Sequence, residues 1–154
     1  AMMEEVDLVE AGKNYGWPIR EGTTCFNAQD WSQPLESCST NGLSDPILSY
    51  AHQGDLSAII GGMVYHSKAN PELTNAYVFG DWGKGRGHLF VAYPPTLGPG
   101  SWKIMEIEVS GSISEIGQLL GIGKDKSGEL YLLTRAPGVG ATGNSGSIYK
   151  IVAE

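Results

Sequence analysis

No run of apolar residues in this 154-residue chain approaches the ~18 needed to cross a bilayer, and no block of Lys or Arg stands anywhere along it. The first absence argues against a spanning helix. The second argues against nucleic acid, whose phosphates are held by clustered cations. Basic residues number 10 against 17 acidic ones, a formal charge of −7. The opening AMMEEVDLVE lacks the charged-then-apolar pattern of a secretion signal. Ala1 ahead of Met2 reads as an added residue, so the missing leader says little about compartment. Only two cysteines are present, Cys25 and Cys38, in a loop-like stretch rich in Ser, Asn, Gln and Pro. A disulfide is the favoured expectation, worth roughly 3 kcal/mol for a loop of this length. Two unpaired cytosolic thiols are the alternative. Metal binding by the pair is less favoured, because no second close pair of Cys or His accompanies it.

The chain does have turn residues and short β-rich runs: 22 Gly and 8 Pro punctuate segments of aromatic and β-branched residues. This composition indicates an all-β protein, of a length that suits one domain or part of one. From Gly61 the chain reads GGMVYHS, NAYVFGDW, the Gly-rich GKGRG, HLFVAY, a Pro/Gly loop and KIMEIEVS, four strands in sequence. From Leu119 it reads LLGIGK, the turn DKSG, ELYLLT, a Gly-rich loop over 136–146 and SIYKIVAE, three strands on the same plan. A repeat of about 50 residues built as an antiparallel meander is the signature of propeller blades. The expected division is 1–45 as a strand, a loop and the cysteine segment, 46–110 as one full blade, and 111–154 as three strands of a final blade. Ahead of the first blade only Glu4–Glu10 reads as a strand.

Strands of a meander alternate in direction, which brings the loop before a blade's first strand and the loop between its second and third strands to one end. In the first blade these are Ala51–Ala58 and Asp81–Gly87, and in the second, Ser114–Gln118 and Arg135–Gly146. Polar and charged residues gather at that end, so a site is expected there. His52 is a candidate donor to a carbonyl or sugar hydroxyl, or else a loop histidine bonded to backbone. Asp81, Lys84 and Arg86 are candidates for an anion- or sugar-binding rim. Alternatively Asp81 caps the turn and Arg86 pairs with it. Trp82 and Trp17 offer faces for a sugar, although packing is the commoner use of such rings. Gly138–Gly143 fits G-x-G-x-x-G but follows no βα unit and leads into a strand, so it is set aside as a nucleotide site. Asp125 and Gly128 read as turn residues, the three histidines have no zinc spacing, and no G-x-S-x-G elbow supports hydrolase chemistry.

The stretch EEVDLVEAGKNYGWP, Glu4 to Pro18, resembles the D/E-E-[IV]-[ND]-L-[IV]-x-x-G-x-N-Y-G-W-P signature of the PQQ-dependent glucose/sorbosone dehydrogenase family. The likeness continues through ILSYAH, GGMVY, YVFGDWGKGR, KSGELYLLT and GSIYKI, over nearly the whole chain. VFGD…GR, SGELYLLT and the cysteine pair after NYGW look closer to the Hedgehog-interacting-protein-like and aldose sugar dehydrogenase-like branches than to the soluble glucose dehydrogenases. The resemblance implies the C-terminal portion of a six-bladed β-propeller, about two blades plus a stray strand. It also implies PQQ held by calcium, oxidation of an aldose hydroxyl by the full-length parent, a sugar ligand, and a periplasmic or extracellular location. Glu4 falls near the family's acidic cofactor contact, and Lys84 and Arg86 near a basic position facing PQQ. The family's base histidine and calcium-binding carbonyls precede Asn14–Pro18, and its arginine pair has no counterpart over Ser114–Gly121. The chain by itself is therefore expected to be inactive. A non-catalytic ligand-binding propeller is the alternative, and a self-assembling fragment a third, since a two-blade piece with open edges is expected to form a trimer or dimer.

Overall fold

The computed structural model describes residues 2–96, 100, 102–110, 116–136 and 144–153. Every regular element is a β-strand except for one 3₁₀ turn at Pro71–Leu73, and every strand pairing is antiparallel. Strands β5 (Ile59–Val64), β6 (Tyr77–Asp81), β7 (His88–Tyr93) and β8 (Lys103–Glu106) form a four-stranded meander in sequence order. Strands β9 (Gln118–Lys124), β10 (Leu130–Arg135) and β11 (Gly146–Lys150) form a three-stranded one. β1 (Met3–Val6) pairs with β4 (Leu48–Ala51), and β2 (Arg20–Glu21) with β3 (Thr24–Cys25). This is an all-β partial propeller: one complete blade, three strands of the next, and a two-stranded sheet ahead of them.

Alternation along β6 and β7 explains the stacking. Val78, Leu89 and Val91 face Leu119, Ile122, Leu130 and Leu132 of the second blade. Their neighbours Phe79, Phe90 and Ala92 face the other way, against Leu48, Val6 and Tyr50 of the β1–β4 sheet. Both faces of the sheet are thus covered at its two middle strands, so β7 is buried along almost its whole length, with no polar face, whereas β8 is exposed. β5 lies against β9, the first strands of consecutive blades meeting side by side.

The strand expected over Glu4–Glu10 is shorter, Met3–Val6. Its partner begins at Leu48, two residues after Pro46, and the last link is the Ile47 N–H to the Val6 carbonyl at 2.9 Å. Beyond it the chain turns away and is clipped by Tyr15, whose hydroxyl donates to the Leu8 carbonyl at 2.6 Å and accepts the Glu10 N–H at 2.7 Å. Cys25 and Cys38 are joined in a disulfide that closes the irregular segment after β3. Trp17 is 61% exposed, so the packing role set against a sugar-stacking one is confined to an edge contact with Phe26, ring centroids 4.6 Å apart. The G-x-G-x-x-G stretch Gly138–Gly143, the loop 137–143 and residues 114 and 115 lie outside the described residues.

Gly62 sits in the irregularity where β5 shifts register on β6 between Ile60 and Met63. A Cβ there would stand 1.7 Å from the Val78 carbonyl oxygen, a clash with backbone that no rotamer relieves. Gly62→Ala is expected to destabilise the chain by about 1–3 kcal/mol or more, the scale of overpacking a tight site. Urea unfolding read by tryptophan fluorescence checks this, with Gly61→Ala as the control, because a Cβ at Gly61 meets nothing within 4 Å.

Candidate functional site

The register places Ile59, Asp81, His88, Glu106, Gln118 and Arg135 at one end of the two blades. The loops 52–58 and 82–87 meet there, as meander topology requires. Asp81 is fully buried and holds them together. Its Oδ1 accepts the backbone N–H groups of Ser57 at 2.9 Å, Ala58 at 3.3 Å and Gly83 at 2.8 Å, and its Oδ2 accepts the Tyr50 hydroxyl at 2.8 Å. Burial, then the Asp81 carboxylate it donates to, pushes the Tyr50 hydroxyl far above the usual phenol range. Asp81 caps the turn, as one expectation had it, but its partners exclude Arg86. Arg86 is tied instead through its backbone N–H to Asp55.

Glu4 and His52 come together across the β1–β4 sheet: His52 Nε2 lies 2.7 Å from Glu4 Oε1, and Glu4 Oε2 accepts the Ile59 N–H at 2.7 Å. The pair lashes the two-stranded sheet to the first strand of the blade. Trp82 is half-buried, and the Arg135 guanidinium lies over its ring, 5.9 Å from the centroid. Arg135 also donates from Nε to Gln118 Oε1 at 3.2 Å, which brings a guanidinium beside the start of β9, where the sequence itself carries no arginine. Sequence reading missed this residue. The signal was available in the pairing of β9 with β10, which sets Arg135 opposite Gln118.

Lys84 and Arg86 stand on an exposed loop. The loop is fixed from three sides. Asp55 Oδ1 accepts the Gly85 N–H at 2.6 Å and its Oδ2 the Arg86 N–H at 3.0 Å. The Lys84 N–H donates to the Asp55 carbonyl at 2.9 Å, and its Nζ to the Gly54 carbonyl at 3.3 Å. Gln118 Nε2 donates to the carbonyls of Gly83 and Lys84 at 3.4 and 3.3 Å. The Arg86 N–H above all, with that of Gly85 and then His88, holds the Asp55 carboxyl below the usual carboxylate range. Beside the loop a cavity of about 370 Å3 is lined by Arg86, His88, Glu106, Glu108 and Ile116. The arrangement presents two exposed cations and a guanidinium-covered indole at one end, which suits a flat, anionic ligand.

The family model for Glucose / Sorbosone dehydrogenase matches residues 2–92. The HIPL1 protein of Arabidopsis thaliana is 29% identical over 168 residues, covering 97% of this chain and 22% of that protein. Hedgehog-interacting protein of Mus musculus is 32% identical over 96 residues, covering 61% of this chain and 13% of that protein. The chain thus spans about a fifth of the length of the first of these relatives. A crystal structure of glucose dehydrogenase superposes with a TM-score of 0.63 at 20% identity, covering 99% of this chain and 39% of that one, a likeness of fold.

Replacing Asp81 by Ala would strand the buried donors of Ser57, Gly83 and Tyr50 together. The expected cost is about 3–5 kcal/mol, the scale for removing one member of a buried charged network. Tyr50→Phe, which removes one donor and leaves the carboxylate its backbone partners, is expected to cost about 1 kcal/mol. Denaturant midpoints of the two variants at neutral pH check the ratio.

Proposed function

The chain belongs to the glucose/sorbosone dehydrogenase family, and on that premise we propose that it is the C-terminal part of a sugar dehydrogenase-like propeller whose loop end supplies the rim of an anionic cofactor site. The observation that carries this reading is the loop Lys84–Arg86, exposed and held in one conformation by Asp55, next to Trp82 and Arg135. PQQ, the cofactor the family implies, is flat and carries carboxylates, and these side chains fit it: Lys84 and Arg86 would pair with carboxylates and Trp82 would offer a face. Bound there, the quinone would serve as the two-electron acceptor. Glu4 and His52 would orient one another at the same end, with His52 toward a sugar ligand. Calcium fits less well. Among the described residues no group of three or more His, Cys, Asp and Glu is arranged to hold a metal ion. The family's base histidine and calcium carbonyls belong upstream of Asn14–Pro18, so the chain alone is read as inactive.

A second reading, a non-catalytic ligand-binding propeller, is favoured by the likeness to a protein whose printed name is Hedgehog-interacting protein. It fits the two acidic candidates, Glu4 and Asp81, whose oxygens are already engaged within the chain. A periplasmic or extracellular setting accords with either reading, because the Cys25–Cys38 disulfide persists where conditions are oxidising.

Arg86→Ala is expected to weaken PQQ binding about fivefold, the upper scale of one exposed charge pair, while the thermal midpoint barely moves. Titration by tryptophan quenching and a melt on the same sample separate the two effects. A large loss of stability would make Arg86 structural.

The open sheets favour association of the chain with itself. Among the described residues β11 pairs with β10 alone, and Ile148 on that strand is 70% exposed. Such an edge pairs with another chain, in a trimer that closes a ring or in a strand-exchanged dimer. Light scattering is expected to show an oligomer, and a dye-reduction assay with PQQ, calcium and several aldoses to show no turnover. A well-folded monomer would refute the association. Turnover abolished by His52→Ala would refute inactivity and make His52 the base.

A further inference from the structure

The Lys84–Arg86 loop is joined to the far edge of the blade through one imidazole. His88 opens β7, is nine-tenths buried and stacks on Phe90. Its Nδ1 lies 2.7 Å from Glu106 Oε1 on β8, and its Nε2 lies 3.4 Å from Asp55 Oδ2, the same oxygen that accepts the Arg86 N–H. We propose that Asp55 and His88 are the positioning residues of the basic loop: Asp55 staples Gly85 and Arg86, and His88, anchored by Glu106, holds the Asp55 carboxylate in the only place from which it reaches both.

The protonation of His88 then matters, by donor arithmetic. A neutral imidazole has one N–H, and the short contact to Glu106 claims it at Nδ1, so Nε2 faces Asp55 with a lone pair. The imidazolium donates to both carboxylates at once. Charged groups surround the ring on several sides. Asp55 faces it from the 52–58 loop, Glu106 from β8, and Asp81 stands opposite His88 in register on β6. Against these stands Arg86, which lines the same cavity together with Glu108. Gln118, from β9, is uncharged. Neutralising His88 therefore loosens the staple, and the loop that carries Lys84 and Arg86 with it. This rests on the reading of that loop as an anion rim only for its consequence in binding; the coupling itself is a property of the chain.

Two measurements separate the parts. In 1H–15N spectra of the 154-residue chain from pH 5 to 9, the Gly85 and Arg86 amide shifts are expected to titrate together with the His88 ring. Asp55→Asn, which still offers an oxygen to Gly85, should abolish the titration at both amides while the melting temperature is largely kept. Amides that do not follow His88, or that follow it equally well in Asp55→Asn, would overturn the proposal. PQQ titrated at one pH on either side of the midpoint observed for the His88 ring is expected to bind about fivefold more tightly at the lower pH, the scale of one partly exposed ion pair. Asp55→Asn should remove this difference. Coupled amides with no PQQ binding at either pH would leave the positioning role standing and overturn the anion-rim reading. PQQ binding that is the same at both pH values in the parent chain would overturn the consequence of the coupling for binding.

Discussion

One buried carboxylate decides how the blades present their end. Asp81 terminates β6, and its two oxygens take up donors from β4, from the loop ahead of β5 and from the turn that follows it. Without a charged acceptor there, the N–H groups of Ser57 and Gly83 would be buried with no partner, a cost the interior does not tolerate. With it, two loops from different parts of the chain acquire a common anchor, and Asp55, one turn away, is delivered to the backbone of Gly85 and Arg86. The same acidic logic recurs at Glu4, which uses one oxygen for His52 and the other for the Ile59 N–H. Carboxylates at this end serve first as acceptors for main-chain donors and only then as charges.

That arrangement resolves an apparent conflict. By net charge alone, a chain with 17 acidic and 10 basic residues is a poor host for the anionic ligand proposed above. Long-range field, however, is screened within about 10 Å at ordinary ionic strength, and what a ligand meets is local. The oxygens of Asp81 and Glu4 point inward to their donors, whereas Lys84 and Arg86 stand on the exposed turn and Arg135 lies across Trp82. Those two acceptors turn inward and the cations outward, while Glu106 and Glu108 line the cavity beside Arg86.

The fold was legible to the extent that it is periodic. β7 reads HLFVAY and runs over the same six residues in the structure, because both its faces are covered and nothing but apolar residues and one histidine would serve there. The meander order of the two blades followed from the same runs. The strand at Glu4–Glu10 was overextended because its pattern continues past Val6, whereas the limit is set by its partner, 42 residues away, which the pattern of one segment cannot register. Trp17 was weighed as packing on type alone, and its exposure depends on where the disulfide-bound segment lies.

The site shows a sharper division. Lys84, Arg86 and Asp81 stood out as candidates because a Gly-rich turn between two strands marks itself in the sequence. Asp55, His88, Glu106 and Arg135 did not, and each meets its partner over a long stretch of sequence: His88 to Glu106 over 18 positions, Asp55 to His88 over 33, Gln118 to Arg135 over 17. None of these separations is a motif spacing, since in a meander the distance between neighbours depends on loop lengths that are free to vary. What stays fixed is the register. Asp81 opposite His88, and Gln118 opposite Arg135, follow once the hairpins are aligned at their ends. In these two blades the polar residues that cluster at the loop end are those that begin β7 and β9 and end β6, β8 and β10, and aligning hairpin ends finds them where a search for local patterns does not.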